Sequence, residues 1–287
     1  MKTRKALLAG SWYPGSASGC RAEMLQYLRD APEESAIPEG LVGGIVPHAG
    51  WYFSGQIACN VLHRISVPEP PDVFVVFGMH LGPGSPAHIM PEGDWETPLG
   101  PLSVDAEFAR QLMQHFDFQV ETTVIHTPDN TIEVQLPFLR HFAPEARIVP
   151  VGVPPGPIAT EMGSRVRQIA EELGRRVKVV GSTDLTHYGP NYGFSPKGSG
   201  TEAVRWVREE NDRAVVEKML AMDPEGVVRE ALARQNACCS GAAAAAIAAA
   251  KSLGATEAQT LAYATSYDKN PGDSFVGYVG MLFRSTA

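Results

Sequence analysis

The sequence predicts a single-domain α/β sandwich, with a central, mostly parallel β-sheet flanked by helices. Three observations carry this. Short β-branched runs alternate with segments of helical period along the whole chain, which is the pattern of strand–helix–strand units. No internal repeat, long linker or composition shift divides the 287 residues, so 1–287 reads as one domain. With 44% hydrophobic and 20% charged residues the chain has an ordinary globular composition. A domain of this size buries about 75% of the surface its unfolded chain exposes, so neither a disulfide framework nor a structural metal is needed to hold the fold.

The elements follow in order. A helical segment at 18–30 comes after the turn-rich "AGSWYPGS", and "GGIVPH" (43–48) reads as a buried strand leading into a helix at 54–65. The Pro/Gly-rich loop 66–71 precedes a second strand, "DVFVVFGMH" (72–80), and a long loop, 82–101, leads to helices at 105–115 and 131–142. "ARIVPVGV" (146–153) is a third strand, followed by loop 152–157, a helix at 159–174 and the strand "RVKVVGSTDLTH" (176–187). Helices at 201–220, 224–234 and 241–253 follow, and "TLAYATSY" (260–267) and "SFVGYVGMLF" (274–283) complete the sheet.

Several function classes are disfavoured. The net charge is −8 and no cluster of Lys and Arg appears, so no nucleic-acid partner is expected. No run of eighteen apolar residues occurs, and the "ALLAG" near the start is too short for a signal sequence, so no membrane partner is expected. Cys20, Cys59, Cys238 and Cys239 show no framework spacing, which fits a reducing cytoplasm.

Three apolar runs end on a histidine: His48, His80 and His187. In open α/β sheets ligands sit at the carboxyl ends of strands, so three imidazoles at three such ends point to a site. His63, His88, His115 and His141 lack this placement and read as surface or boundary residues. Neutral imidazole is a common transition-metal ligand, and two histidines with one anionic ligand suit non-haem iron chemistry. Asp184 and a cysteine are the anionic candidates. Cys238 and Cys239 stand before an alanine-rich helix, "GAAAAAIAAAK" (241–251). A helix N-terminus lowers a thiol's pKa, and thiolate is the metal-binding form. Gly241 and the alanines let that helix start approach other backbone. The competing reading is that both cysteines are small core residues.

The segments "AGSWYPGS" (9–16), "IVPHAGWYFSG" (45–55), "IEVQLPFL" (132–139), "STDLTHYGPNYGF" (182–194) and "DSFVGYVG" (273–280) occur in an order that resembles the Memo family, protein B of the AmmeMemoRadiSam set. That family is similar in fold to class III extradiol dioxygenases, with a cysteine in place of the metal-binding glutamate. The resemblance implies His48, His80 and Cys238 as ligands of iron(II) or copper, with His187 beside the metal as acid/base. It also implies a small-molecule substrate or O2, and partner proteins of the same set. Three departures stand out: Cys239 where the family has glycine, Asn130 where it has histidine, and an altered loop, "FGMHLG", around His80. Cys238 is preferred over Cys239 as ligand from the position of Gly241.

Other motif residues carry local readings. Asp184 orients an imidazole or caps a turn, Glu133 belongs to a helix-start capping pattern, and Asp273 is a turn residue. Trp12, Tyr13, Trp51 and Tyr52 wall a pocket or fill the core. The expected function is a Memo-type metal-dependent redox protein; the alternatives are an extradiol ring-cleaving dioxygenase and a non-enzymatic interaction module.

Overall fold

The computed structural model describes residues 3–30, 37–67 and 69–286. Its elements, in chain order, are β1 (Thr3–Arg4), α1 (Ala17–Arg29), β2 (Leu41–Val46), α2 (Trp51–Ser66), β3 (Val73–Gly78), β4 (Ala87–Ile89), β5 (Asp94–Trp95), β6 (Leu102–Ser103), α3 (Ala106–His115) and β7 (Phe118–Val120). Then come α4 (Asn130–Glu133), α5 (Leu136–Phe142), β8 (Arg147–Gly152), α6 (Pro157–Leu173), β9 (Val177–Ser182), β10 (His187–Tyr188) and α7 (Thr201–Trp206). The chain closes with α8 (Asp212–Leu220), α9 (Pro224–Arg234), α10 (Ser240–Ser252), β11 (Glu257–Thr265) and β12 (Phe275–Arg284).

Nine strands form one mixed sheet in the order β10-β12-β2-β9-β3-β8-β4-β7, with β11 paired to β12 outside this path. The central strands β2, β9, β3 and β8 run parallel, while β12 joins β2 and β4 joins β8 antiparallel. Strands β1, β5 and β6 make a separate small sheet. Every residue of β3, "VFVVFG", is buried, as expected of a parallel strand covered on both faces. Gly44 is registered with Val180 and Ile45 with Gly181, so the faces of Gly44 and Gly181 are opposite. A Cβ at Gly44 would meet Val61 of α2, and one at Gly181 would meet Ala246 of α10. Helices α2 and α10 therefore cover the two faces of the sheet, which is the expected sandwich.

The alanine run is explained by packing. Helix α10 is buried from Ser240 to Ala250. A Cβ at Gly163 of α6 would lie 2.2 Å from the Ala245 carbonyl oxygen, so the two helices touch backbone to backbone. Larger side chains along this seam would hold them apart. At the start of α10 a Cβ at Gly241 would lie 2.4 Å from the Val153 carbonyl oxygen, which bears out the close approach expected there. The helix end carrying both cysteines is thus pressed against the chain leaving β8.

Some expected elements are corrected. The helix expected over 131–142 is two helices, α4 and α5. Pro137 has no N–H and sits in the first turn of α5, where a helix starts more readily than it continues. The helix expected over 201–220 contains a π-helical stretch, Val207–Asn211, between α7 and α8. This extra residue per turn brings Asn211 and Asp212 both fully inside. The strand expected over 176–187 stops at Ser182, and His187 lies on the separate strand β10, antiparallel to β12. His88 is buried on β4 rather than at the surface or boundary. Strands of two or three residues (β1, β4, β5, β6, β7 and β10) were not expected, since they are too short to show a period.

Candidate metal centre

Strands β2 and β3 flank β9, and each is followed within two residues by a histidine. After β2, Pro47 leads to His48, which is buried. After β3, Met79 takes φ +70°, a left-handed conformation that costs an L-residue about 1–2 kcal/mol. Its N–H donates to Thr131 Oγ1 at 2.7 Å, which holds the turn. The two rings meet edge to face over the end of β9, centroids 5.0 Å apart.

The thiols arrive from the start of α10. Cys239 occupies the position just before the first turn, and its side chain makes no capping bond to the helix. Residues 183 and 184 anchor both cysteines. Cys238 N–H donates to the Asp184 carbonyl at 3.1 Å, and Cys239 N–H donates to Thr183 Oγ1 at 3.1 Å. Asp184 N–H points back at Cys238 Sγ, 3.3 Å away. Cys238 Sγ lies 3.3 Å from His48 Nε2, Cys239 Sγ lies 3.4 Å from His80 Nδ1, and the sulfurs are 3.8 Å apart. One donor atom from each of His48, His80, Cys238 and Cys239 falls within 4.8 Å of all the others. The expected pair of histidines and Cys238 thus come together, and Cys239 joins them; neither thiol is simply core packing.

Neighbouring groups fix both imidazoles. The Ser182 hydroxyl donates to the Thr131 carbonyl at 2.7 Å, so its oxygen is left to accept the His48 Nδ1–H, 3.1 Å away. Asn130 Nδ2 donates to the His48 carbonyl at 3.0 Å, which turns its Oδ1 to His80 Nε2 at 3.2 Å. In its neutral form each ring therefore carries its proton on the side away from the sulfurs and presents a lone pair toward them. Such outer partners set tautomer and orientation in metal sites. Asn130, which cannot titrate, does this by hydrogen bonding alone.

Burial would lower the His48 imidazole, but the negative charges of Asp184 and Cys238 outweigh it and raise it to about 9. Burial opposes ionisation of Cys238 too, yet its hydrogen bond with Cys239 and the two imidazoles hold it well below the ordinary thiol value. Cys239 is pushed the other way, by burial and by its anionic neighbour. Burial also raises Asp184. Its Oδ1 accepts the His48 backbone N–H at 2.7 Å, and its Oδ2 stands 3.9 Å from His48 Nε2. Asp184 thus braces His48 rather than only capping its own turn.

His187 stands apart from the quartet. Its Nδ1–H donates to the Leu185 carbonyl at 3.2 Å and its ring packs edge-on against Tyr192, centroids 4.9 Å apart. Behind it, Thr186 N–H donates to Asp212 Oδ1 at 3.0 Å, and Tyr263 OH donates to Asp212 Oδ2 at 2.7 Å. Asp212, the first residue of α8 after the π-helical stretch, therefore supplies the carboxylate that anchors the 183–187 loop. Sequence reading missed Asp212, and a π-helical insertion leaves no period to find it by.

Two clefts, of about 550 and 400 Å3, open on the centre and share His80, His187 and Tyr192. Trp12 and Tyr52 wall the larger one, whereas Tyr13 and Trp51 are core residues. No lysine or arginine lines either cleft among the described residues. Glu133 accepts Leu8 N–H at 2.7 Å and Tyr13 OH at 3.0 Å, tying down the N-terminal segment; the cap of α4 is Asp129 alone. Asp273 lies in an exposed bend, as expected. No helix among the described residues is long and apolar enough to cross a membrane.

Comparison with known proteins agrees with the resemblance seen in the motifs. The model of the Memo-like protein family matches residues 4–282. A MEMO1 family protein of Pyrococcus furiosus is 34% identical over 98% of this chain and 99% of its own length. Those of Thermococcus onnurineus and Methanopyrus kandleri are each 35% identical with the same coverage. Among solved structures, an uncharacterized protein of Escherichia coli K12 aligns over 84% of this chain and 99% of its own, at 13% identity and a TM-score of 0.47. With a family model spanning nearly every residue and curated relatives matched end to end, this chain belongs to the Memo family.

Proposed function

We propose that the protein binds one transition-metal ion through His48, His80 and Cys238 and works as a metal-dependent redox protein in the cytoplasm. Iron(II) or copper is the ion, and a small-molecule substrate or O2 enters by the clefts. One observation carries this reading. Imidazole and thiol lone pairs converge at the meeting point of two open clefts, with no lysine or arginine lining them. Such facing donors and acceptors are satisfied either by shared protons or by a metal ion that displaces them, and two imidazoles with a thiolate suit a redox-active ion. Bound there, the ion supplies one-electron chemistry and a position for a substrate atom.

The protein's own residues do the rest. Ser182 and Asn130 hold the imidazoles in the ligating tautomer, and Asp184 holds the His48 main chain. His187 keeps its proton on Nδ1 for the Leu185 carbonyl, so Nε2 takes or returns a substrate proton in the cleft. The aromatic walls, Trp12 and Tyr52, accept a flat or apolar substrate.

Elemental analysis of the purified protein, with O2 uptake measured on candidate substrates, tests the reading. One equivalent of iron or copper is expected, and absence of any bound transition metal overturns it. A second measurement concerns His187. His187→Gln keeps the metal and slows turnover by roughly 10²–10⁴-fold, the usual contribution of a general acid–base group. Loss of metal in that variant would make His187 a ligand instead.

A further inference from the structure

We infer that Cys239 is a fourth ligand, so that His48, His80, Cys238 and Cys239 together enclose a tetrahedral N2S2 site for a soft closed-shell ion, Zn(II) or Cu(I). This rests on the reading above that the cluster binds a metal; it keeps copper among the ions named there and replaces the three-ligand set, and iron(II) with it.

The geometry leads there. Metal–sulfur bonds of about 2.3 Å and metal–nitrogen bonds of about 2.0–2.1 Å, set at tetrahedral angles, put two sulfurs about 3.8 Å apart and a sulfur and a nitrogen about 3.5–3.6 Å apart. The observed edges are 3.8 Å between the sulfurs, 3.3 Å from Cys238 to His48 and 3.4 Å from Cys239 to His80. The sulfur–sulfur edge matches and the two sulfur–nitrogen edges fall about 0.1–0.3 Å short; the four donors lie within 4.8 Å of one another, so the remaining edges close by up to about 1.5 Å around the ion. Right-angled, octahedral coordination would bring the sulfurs to about 3.3 Å, half an ångström closer than they lie.

The hydrogen bonding points to the same conclusion independently. His80 Nε2–H is spent on Asn130 Oδ1, so the Nδ1 that faces Cys239 is a lone pair. His48 Nδ1–H is spent on Ser182 Oγ, so in the neutral, ligating ring the Nε2 that faces Cys238 is a lone pair as well. The Thr183 hydroxyl accepts Cys239 N–H and holds the backbone so that this sulfur is aimed at the ring and not into the core. Four soft or borderline donors then surround one point, and that set selects Zn(II) or Cu(I) over an iron(II) that keeps open positions. With all four bound, no coordination position is left for O2 until one donor leaves.

The protein loaded with Zn(II) decides this by X-ray absorption, with Co(II) replacing zinc for optical spectra. Two sulfur and two nitrogen neighbours are expected, with intense visible bands of tetrahedral Co(II) and thiolate charge transfer in the near ultraviolet. Cys239→Ala, which removes only the sulfur, should halve the charge-transfer intensity and weaken Zn(II) by more than the roughly 10–100-fold typical of losing an outer partner. One sulfur neighbour in the parent protein, or unchanged spectra in Cys239→Ala, overturns the fourth ligand and leaves the three-ligand reading standing. Failure of the parent protein to take up Zn(II), Co(II), iron or copper removes both. The neighbour count in the parent needs no variant, so a variant that does not fold leaves the question decided.

Discussion

Arg4, Glu121 and His88 form one buried polar cluster; His48, His80, Cys238 and Cys239 form another, with the segment 129–131 close to both. In the first, Arg4 Nη1 meets Glu121 Oε2 at 2.9 Å and the guanidinium lies over Trp95, 3.7 Å from the ring centroid. His88 Nδ1 is 3.3 Å from the other Glu121 oxygen, which also accepts Thr127 N–H at 2.9 Å. Every charge there has its opposite, and the space around it is only about 10 Å3. In the second, thiols, imidazoles and Asp184 gather with no lysine or arginine, beside two open clefts. Both contain a buried histidine close to a carboxylate, so burial of a histidine alone distinguishes nothing. The difference is the kind of cation the chain supplies: a guanidinium that never gives up its proton makes the first cluster a structural brace, whereas an imidazole that can exchange its proton leaves the second with room for an ion.

The comparison breaks most sharply on metal content. His48→Ala and His80→Ala should each abolish metal binding, read by elemental analysis, while the folded protein persists. Full occupancy in either would mean that the cation-poor cluster is not the site. Arg4→Met tests the other side. It strands Glu121 without its partner, and removal of one member of a buried pair costs about 3–5 kcal/mol. Denaturant unfolding should show that loss, with metal content unchanged; a neutral effect would mean that the first cluster is no brace. Asn130→Ala sharpens the comparison by about 10–100-fold in metal affinity, the scale of a lost outer partner, with Asn130→Gln recovering less than the parent because its longer chain misplaces the acceptor. Competition with a chelator measures it, and an unchanged affinity would remove Asn130 from the orientation of His80.

Much of this site was legible because its donors sit at landmarks. His48 and His80 follow apolar runs, and Cys238 precedes a helix whose composition is unmistakable, so position relative to the sheet could be inferred from pattern. Cys239 was legible only as an alternative register, since a linear reading assigns one role per motif position while the loop turns both sulfurs inward. Ser182, Thr131 and Thr183 gave no signal, because a loop hydroxyl looks the same whether it faces a ring, a carbonyl or water. The pattern of "STDLTH" puts its histidine at a strand end, whereas the strand stops five residues sooner and His187 pairs with β12. The β-branched run masked that break, and only the pairing of Leu185 and Thr186 with Gly277 and Asp212 defines it.

Gly163 and the Ala245 carbonyl oxygen touch in the seam between α6 and α10, more than a helical turn beyond Cys239. In a genetic screen for metal loss, that seam should nonetheless yield hits. A side chain added at 163 must lever α10 away from α6, and the lever's other end carries Cys238 and Cys239. Overpacking of this kind costs about 1–3 kcal/mol, little enough for the chain to fold and accumulate. The seam is therefore a place where drift in one helix must be matched in the other, and where a phenotype at the centre can arise from residues that never touch it.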